Sequence, residues 1–227
     1  SHVGRDGSAA TGVAMIVVDD EGQNSIAVAS GANFRLAAEH VRAAWDALEV
    51  VDVLVMPLET PLETIATAAE LARRSEAIVV LNPAPARSLP VEILASVDVL
   101  VPNEAETSQL TNMSIATSKD GHKAARELLA LGVGNVVLTL GSQGALALNG
   151  ETDQFTTIPA RQVEVVDTTA AGDAFVAGLA VSLSEGKPLA EAVYFATGVG
   201  ALAVSKLGAQ PSLPTRDEVE RFLAEQI

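Results

Sequence analysis

The feature that most constrains the fold is an alternation of apolar segments with segments of helical periodicity. Helical patterns cover residues 61–74 and 119–131. The apolar segments have the length of strands and are rich in Val and Leu; they cover residues 51–56, 77–81, 97–101 and 135–140. Strands buried on both faces have continuous apolar sequences, and a helix between two strands favours a parallel, right-handed connection. The sequence therefore predicts an α/β fold with a mainly parallel sheet between two layers of helices.

Two β-hairpins are predicted in addition to this alternation. Residues 12–18 and 24–29 have the pattern of two strands joined by a turn at residues 19–22, which read Asp-Asp-Glu-Gly. Residues 144–149 and 154–158 resemble an antiparallel pair at one edge of the main sheet. Further helices are predicted at residues 172–184, at residues 189–206 and from residue 216.

The charge balance argues against several classes of partner. The chain has 14 Lys and Arg residues against 29 Asp and Glu residues, a formal net charge of −15. Nucleic acids and anionic membranes are bound by clustered basic side chains, so neither is expected, and a small molecule fits better. The chain has no Cys, no apolar run of the roughly 18 residues that cross a bilayer, and no hydrophobic leader at its start. We therefore expect a cytoplasmic protein.

The most informative segment is a run of small residues before the predicted helix at residues 172–184. Residues 166–175 read Val-Asp-Thr-Thr-Ala-Ala-Gly-Asp-Ala-Phe. Small residues let a backbone approach an anion closely, and the first amides of a helix lack internal acceptors. The segment could thus form an anion hole, with Asp173 placed to accept a proton from a hydroxyl group held against it.

A purely structural interpretation of this segment has equal weight on physical grounds. Small residues also satisfy a tight turn between a strand and a helix. Asp167 or Thr169 could cap that helix, and Asp173 could complement its dipole. The residues alone leave the two interpretations open.

Two further motifs follow predicted strands. Asn103 and Glu106, in the run Pro-Asn-Glu-Ala-Glu, have the spacing of a helix N-cap and its capping-box partner. Residues 139–144 read Thr-Leu-Gly-Ser-Gln-Gly, which alone is typical of a glycine-rich turn. No Gly-x-x-x-x-Gly-Lys-Ser/Thr run exists in the chain, so a lysine-centred phosphate loop is not available.

Together, and in this order along the chain, these segments resemble the motifs of the PfkB-type carbohydrate kinases, and the Ala-Ala-Gly-Asp form resembles the ribokinase-like members. The resemblance implies that Asp173 is the catalytic base and that the amides of Ala170, Ala171 and Gly172 hold the migrating phosphoryl charge. It implies an ATP site to which the following residues contribute: Asn103, Thr139, Gly141, Ser142, Gly144, Gly172 and, on the penultimate helix, Thr197. Glu106 would order the water shell of Mg²⁺.

The resemblance also implies a monovalent-cation site for K⁺ behind the anion hole. Asp167 and Ser212 would supply side-chain oxygens. Backbone carbonyls would come from Thr169, Ala203, Lys206 and Gly208. Because Asp167 and Thr169 lie on the same stretch as Gly172, an ion there could order the anion-hole loop.

Two loops after predicted strands bear on the sugar. Glu59, after the strand at residues 51–56, could accept hydrogen bonds from sugar hydroxyls, although an exposed acidic residue before a helix has equal weight. Residues 82–87 read Asn-Pro-Ala-Pro-Ala-Arg, in which the prolines hold an extended loop. Both stretches favour a ribokinase-like substrate.

The resemblance thus implies a ribokinase-like three-layer sandwich with a small β lid. Residues 1–34 would form part of the lid and its connection, and residues 35–227 the nucleotide-binding kinase domain. We expect an N-terminal segment with sugar contacts to be absent, the lid and the sheet to be incomplete, and the lid to pair two subunits in a homodimer. The implied activity of the full-length protein is ATP-dependent phosphorylation of a pentose, D-ribose first. Fructose, 2-keto-3-deoxygluconate or a nucleoside as substrate, and a non-catalytic nucleotide-binding module, remain open.

Overall fold

The computed structural model describes residues 2–18 and 24–225. The predicted N-terminal hairpin is present as strands β1 (Val13–Val18) and β2 (Asn24–Ala29), which pair antiparallel with Met15 opposite Ala27. This hairpin forms a two-stranded sheet of its own. The turn predicted at residues 19–22 lies outside the described residues.

The main sheet has six strands whose order in space follows their order in the chain. They are β3 (Val53–Met56), β4 (Ile78–Leu81), β5 (Val99–Leu100), β6 (Asn135–Thr139), β7 (Ala145–Asn149) and β8 (Gln154–Ile158). Strands β3 to β6 are parallel, whereas β7 and β8 run antiparallel at the edge. The predicted parallel sheet with an antiparallel hairpin at one edge is therefore confirmed.

Helices cover both faces of this sheet. They are α1 (Ala38–Asp46), α2 (Leu62–Arg74), α3 (Val91–Leu94), α4 (Glu104–Thr111), α5 (Ser118–Ala130), α6 (Ala171–Ser184), α7 (Leu189–Val204) and α8 (Arg216–Glu225). Short 3-10 turns lie at Gly31–Arg35, Gly141–Gln143 and Gln210–Ser212. None of the helices in the described part of the chain is long and apolar enough to cross a membrane.

The sheet separates two hydrophobic cores. Leu81 packs with α2, α3 and α5 in one core, whereas its neighbour Val80 packs with α6 and α7 in the other. Both side chains are fully buried, because successive residues of a strand point to opposite faces and both faces are covered. This arrangement gives the three-layer sandwich that the continuous apolar strands predicted.

The carboxyl ends of the parallel strands meet at one edge of the sheet. The Asn82 amide donates to the carbonyl of Met56 (3.0 Å), and the side-chain amide of Asn82 donates to the carbonyl of Val101 (2.9 Å). The Thr139 amide donates to the carbonyl of Pro102 (3.0 Å). Loops that leave these strand ends are therefore neighbours, as expected for the ligand-binding edge of a parallel sheet.

Candidate active site

The start of α6 carries the residues predicted to handle a phosphoryl group. Ala170, the residue before the helix, has φ 59° and thus lies in the left-handed region that non-glycine residues seldom occupy. A Cβ atom added at Gly172 would meet no heavy atom within 4 Å. The backbone at Gly172 therefore borders open space at the mouth of the helix.

Several amides at this helix mouth have no acceptor among the residues that the structure describes. The Ala171 amide donates to the carbonyl of Thr168 at 3.2 Å. Within the described residues, the amides of Ala170, Gly172 and Asp173 have no protein acceptor. Donors that point into solvent at a helix N-terminus attract anions, so this loop can hold a phosphate without first breaking a protein contact.

The carboxylate of Asp173 is exposed in the first turn of α6. Throughout the part of the chain that the structure describes, no side chain or amide donates a hydrogen bond to it and no basic group pairs with it. Asp173 is thus free to accept a proton next to the unused amides. A general base needs such an unengaged carboxylate, within hydrogen-bond reach of the hydroxyl that it deprotonates.

Asn103 and Glu106 form the predicted capping box at the start of α4. The Asn103 amide donates to Glu106 Oε2 and the Glu106 amide donates to Asn103 Oδ1, both at 2.8 Å. Burial raises the pKa of Glu106 above its ordinary value, although the hydrogen bond from the Asn103 amide acts in the opposite direction. Glu106 Oε1 accepts no hydrogen bond from the residues described, so one carboxylate oxygen remains for a ligand.

We expect the burial of Glu106 to make stability depend on pH. Since its pKa is raised on folding, its contribution is fully present below the unfolded-state pKa and is lost as pH rises through the folded-state pKa. Glu106→Gln keeps an oxygen that can accept from Asn103 but does not ionise. The free energy of unfolding, measured with denaturant at acidic and at alkaline pH, should therefore become larger for Glu106→Gln than for the wild type as pH rises. Glu104→Gln, in the same first turn but outside the capping box, is the control, and parallel curves for Glu106→Gln and wild type would contradict the prediction.

The glycine-rich turn lies beside Asn103. Asn103 and Thr139 form an isolated parallel bridge, which places the turn at the same edge of the sheet. Gly141 and Ser142 are exposed within the 3-10 turn. Gly144 has φ +95°, and a Cβ there would lie 2.0 Å from the carbonyl oxygen of Ile158. Gly144 is therefore required by the packing of the turn, independently of any nucleotide contact.

Asp167 joins the anion-hole loop to the segment after α7. Its Oδ1 accepts from the Thr169 amide (2.9 Å) and its Oδ2 from the Gly208 amide (2.8 Å). Hydrogen bonds from Thr169, and then from Gly208, lower the pKa of Asp167 below its ordinary value. The amides of Val166 and Asp167 also donate to the carbonyl of Val204. The loop is thus fixed from behind by residues about 40 positions away in the sequence.

The other predicted cation ligands lie on the same two segments. Among the described residues, the carbonyls of Thr169, Lys206 and Gly208 accept no hydrogen bond. The carbonyl of Ala203 accepts from the Lys206 amide at 3.2 Å. Ser212 is fully buried, and its hydroxyl donates to the carbonyl of Ala209 at 2.6 Å, which leaves its oxygen lone pairs available.

Two predicted ligand contacts have different environments. Glu59 is exposed in the loop after β3, at the same edge of the sheet as Asn103. Thr197 is 7% exposed within α7, and its hydroxyl donates to the carbonyl of Tyr194 at 2.7 Å. Such back-bonding satisfies a Thr inside a helix. The hydroxyl of Thr197 is therefore already engaged within its own helix.

Sequence reasoning missed one residue of this edge. Arg87, at the end of the Asn82–Arg87 stretch, donates from Nη2 to the carbonyl of Thr60 at 2.7 Å. The only sequence signal is that a basic residue ends a loop that follows a strand. Its partner lies 27 positions earlier, which no local pattern indicates.

Comparison with known proteins identifies the class. The model of the pfkB family of carbohydrate kinases matches residues 1–216. The chain is 39% identical over 223 residues to a ribokinase of Haemophilus influenzae, which covers 98% of this chain and 72% of that protein. It is 35% identical to a deoxyribokinase of Salmonella typhi, over 94% of this chain and 70% of that protein.

The fold of the chain is similar to those of solved ribokinase structures. A ribokinase from Thermotoga maritima is 43% identical and superposes with a TM-score of 0.82 over 96% of this chain and 71% of its own. A ribokinase from Arabidopsis thaliana, solved with ribose and ATP, is 31% identical with a TM-score of 0.81 over 95% of this chain and 70% of its own. The chain therefore belongs to the pfkB family of carbohydrate kinases, whose members are phosphotransferases with an alcohol acceptor. The resemblance and the ribokinase-like fold class are thereby confirmed.

Proposed function

We propose that the full-length protein transfers the γ-phosphoryl group of ATP to D-ribose, giving D-ribose 5-phosphate. The observation that carries the proposal concerns the start of α6. Among the described residues, neither the carboxylate of Asp173 nor the amides of Gly172 and Ala170 have a hydrogen-bond partner. The ribokinase relatives and the Arabidopsis complex with ribose and ATP support the choice of donor and acceptor. We place the activity in the cytoplasm, where ATP is supplied.

In this proposal Asp173 accepts the proton of the sugar hydroxyl as the hydroxyl oxygen attacks the γ-phosphorus. The bond from phosphorus to the bridging oxygen of ADP breaks in line with that attack. The free amides at the start of α6 stabilise the negative charge of the phosphoryl group in transfer, in a position fixed before the reaction begins. Asn103 and the turn at residues 139–144 bind the nucleotide.

We assign Glu106 to the hydration shell of Mg²⁺, because its Oε1 is unused while the capping box orients the carboxylate. Bound Mg²⁺ neutralises charge on the ATP phosphates. We assign K⁺ to the loop before α6 and the segment after α7, which Asp167 joins. The carbonyls of Thr169, Lys206 and Gly208, which accept no hydrogen bond from the described part of the chain, support this assignment. Backbone carbonyls are suitable ligands for a weakly hydrated cation.

We expect turnover to rise when Na⁺ is replaced by K⁺ at constant ionic strength. The ion would hold the carbonyl of Thr169 and so restrict the loop that carries the free amides. Asp167→Ala, which leaves the amides of Thr169 and Gly208 without their acceptor, should lower turnover and remove the response to K⁺. Initial rates in the two salts measure both effects, and equal rates for the wild type in Na⁺ and K⁺ would count against the site.

The substrate is tested by ADP formation from ATP across a panel of acceptors. The panel contains D-ribose, 2-deoxy-D-ribose, D-fructose, 2-keto-3-deoxygluconate and adenosine. The deoxyribokinase relative makes 2-deoxyribose the second candidate, and it differs from ribose by one hydroxyl. We expect the highest kcat/KM with ribose. A higher kcat/KM with another acceptor would reassign the substrate, and the absence of acceptor-dependent ADP formation would refute the kinase proposal.

We further propose that the hairpin of β1 and β2 pairs two copies of the protein. Val13, Met15 and Val17 lie on one face of β1 and are 57%, 64% and 67% exposed. A row of exposed aliphatic side chains favours association. Sedimentation velocity should show a dimer for the full-length wild type and a monomer for Met15→Glu; a monomeric wild type would contradict the proposal.

A further inference from the structure

The loop after β3, which carries Glu59, is hydrogen-bonded to the loop after β4 at the residue before Glu59 and at the residue after it. The Leu58 amide donates to the carbonyl of Ala84 at 2.8 Å. Arg87 Nη2 donates to the carbonyl of Thr60 at 2.7 Å. The residues before and after Glu59 are therefore both held by the loop that follows β4, while the Glu59 side chain itself stays exposed.

The loop that holds Glu59 is itself anchored to the rest of the edge. Asn82 donates to the carbonyl of Val101, and Gln109 of α4 donates to the carbonyl of Ala86 at 3.0 Å. Pro83 and Pro85 restrict the backbone between these anchors. Arg87 thus connects Glu59 to a fixed support that also contacts the helix of Glu106.

The guanidinium of Arg87 is only partly satisfied by the protein. Its Nε atom is buried and has no hydrogen-bond acceptor among the described residues. Other arginines in the structure, such as Arg126 with Asp153 at 2.9 Å, pair with carboxylates near the surface. A buried donor without an acceptor costs stability. Arg161 also has a buried Nε without an acceptor among the described residues, but it lies over the ring of Tyr194. Arg87 instead binds the backbone carbonyl next to Glu59, and this contact points to a role at the sheet edge.

We propose that Arg87 is a positioning residue that acts through the Thr60 carbonyl to hold Glu59 for the acceptor hydroxyls. The inference rests on the proposed function for the identity of the acceptor. The planar guanidinium suits this role, because it holds a carbonyl with a fixed geometry that a flexible ammonium group reproduces only in part.

The kinetic test is a double-mutant cycle with Glu59→Gln, using the acceptor that gives the highest turnover. Arg87→Ala should raise the KM for the acceptor by about 10-fold, the value expected for losing a hydrogen bond from a charged group. The KM for ATP should change by less than about 2-fold, and Arg87→Lys should restore part of the loss. In the Glu59→Gln background, Arg87→Ala should have less than about a 2-fold effect, because residues that act through one another are not additive.

A second measurement does not depend on activity. Hydrogen exchange of the Leu58 amide in the ligand-free, full-length protein should become about 10-fold faster in Arg87→Ala, since the loop loses one of its two ties. Arg126→Ala, which removes an arginine from an exposed ion pair, is the matched control and should change neither the exchange nor the KM. Thermal midpoints of all variants show whether they remain folded.

The outcomes distinguish a failure of the positioning role of Arg87 from a failure of the proposed kinase function. Unchanged exchange at Leu58 would overturn the positioning role whatever the substrate. Faster exchange with an unchanged acceptor KM, or additive effects with Glu59→Gln, would overturn the link to Glu59. If the wild type turns over no acceptor, the proposed function fails, and the exchange measurement still decides whether Arg87 holds this loop.

Discussion

Asp173→Asn should lower kcat by about 10³-fold, within the range found for removing a general base. Asn has the same shape but cannot take up the proton of the attacking hydroxyl. Since the Asp173 carboxylate is exposed and has no hydrogen bond or ion pair with the described residues, the exchange should leave folding unchanged. ATP binding, measured by calorimetry on the full-length protein, should be equal or tighter because a negative charge near the phosphates is removed.

Asp217→Asn is the matched control, because Asp217 is also an exposed carboxylate in the first turn of a helix, α8. It should retain full turnover. If Asp173→Asn keeps more than about a tenth of the wild-type kcat, a loss too small for a missing general base, Asp173 is not the base. A parallel loss of ATP binding would instead indicate a role in nucleotide affinity.

Gly172→Asp should also cause a large loss of kinase activity, because it adds a negative charge close to the phosphoryl group. A carboxylate about 4 Å from a phosphoryl charge, at an effective dielectric constant of about 20, costs about 4 kcal/mol. That energy corresponds to a loss of about 10³-fold in kcat/KM for ATP. The fold should tolerate the change, since a Cβ at Gly172 meets no heavy atom within 4 Å and an acidic residue suits the first turn of a helix.

Gly172→Asn separates charge from size, because Asn fills the same volume without the negative charge. It should lose much less activity than Gly172→Asp, while the thermal midpoints of both stay close to that of the wild type. Equal losses in the two variants would mean that the side chain obstructs the site sterically. Full activity of Gly172→Asp would mean that no phosphoryl group approaches this helix mouth.

The strands and most helices could be predicted from the sequence because the local spacing of apolar residues indicates which side chains are buried. The edge strand β8 (Gln154–Ile158) has the predicted bounds, and β3 and β6 differ from prediction by one or two residues. Helix α3 was not predicted, since four residues are too few to show a period. Helix α4 was recognised only by its cap, because its sequence is mostly polar and has no apolar stripe.

The candidate site also has features that local spacing predicted and features that it could not predict. The spacing of Asn103 and Glu106 predicted a capping box, and the structure contains it. The other carboxylate oxygen of Glu106 has no donor in residues 2–18 and 24–225. The position of Thr197 came from resemblance alone, and a sequence cannot show that its hydroxyl is already satisfied by the carbonyl of Tyr194. Whether a polar group is free for a ligand depends on neighbours in space.

By itself, the sequence determined the α/β class, the succession of strands and helices along the chain and the motif that ends in Asp173, because each depends on residues close together in the chain. Only the tertiary structure decided which groups are held and which are free. Asp167 accepts from Gly208 and Arg87 donates to Thr60 across separations of 41 and 27 residues. Such contacts form only when the sheet brings its strand ends together, and hydrogen bonding is satisfied in three dimensions and not along the sequence.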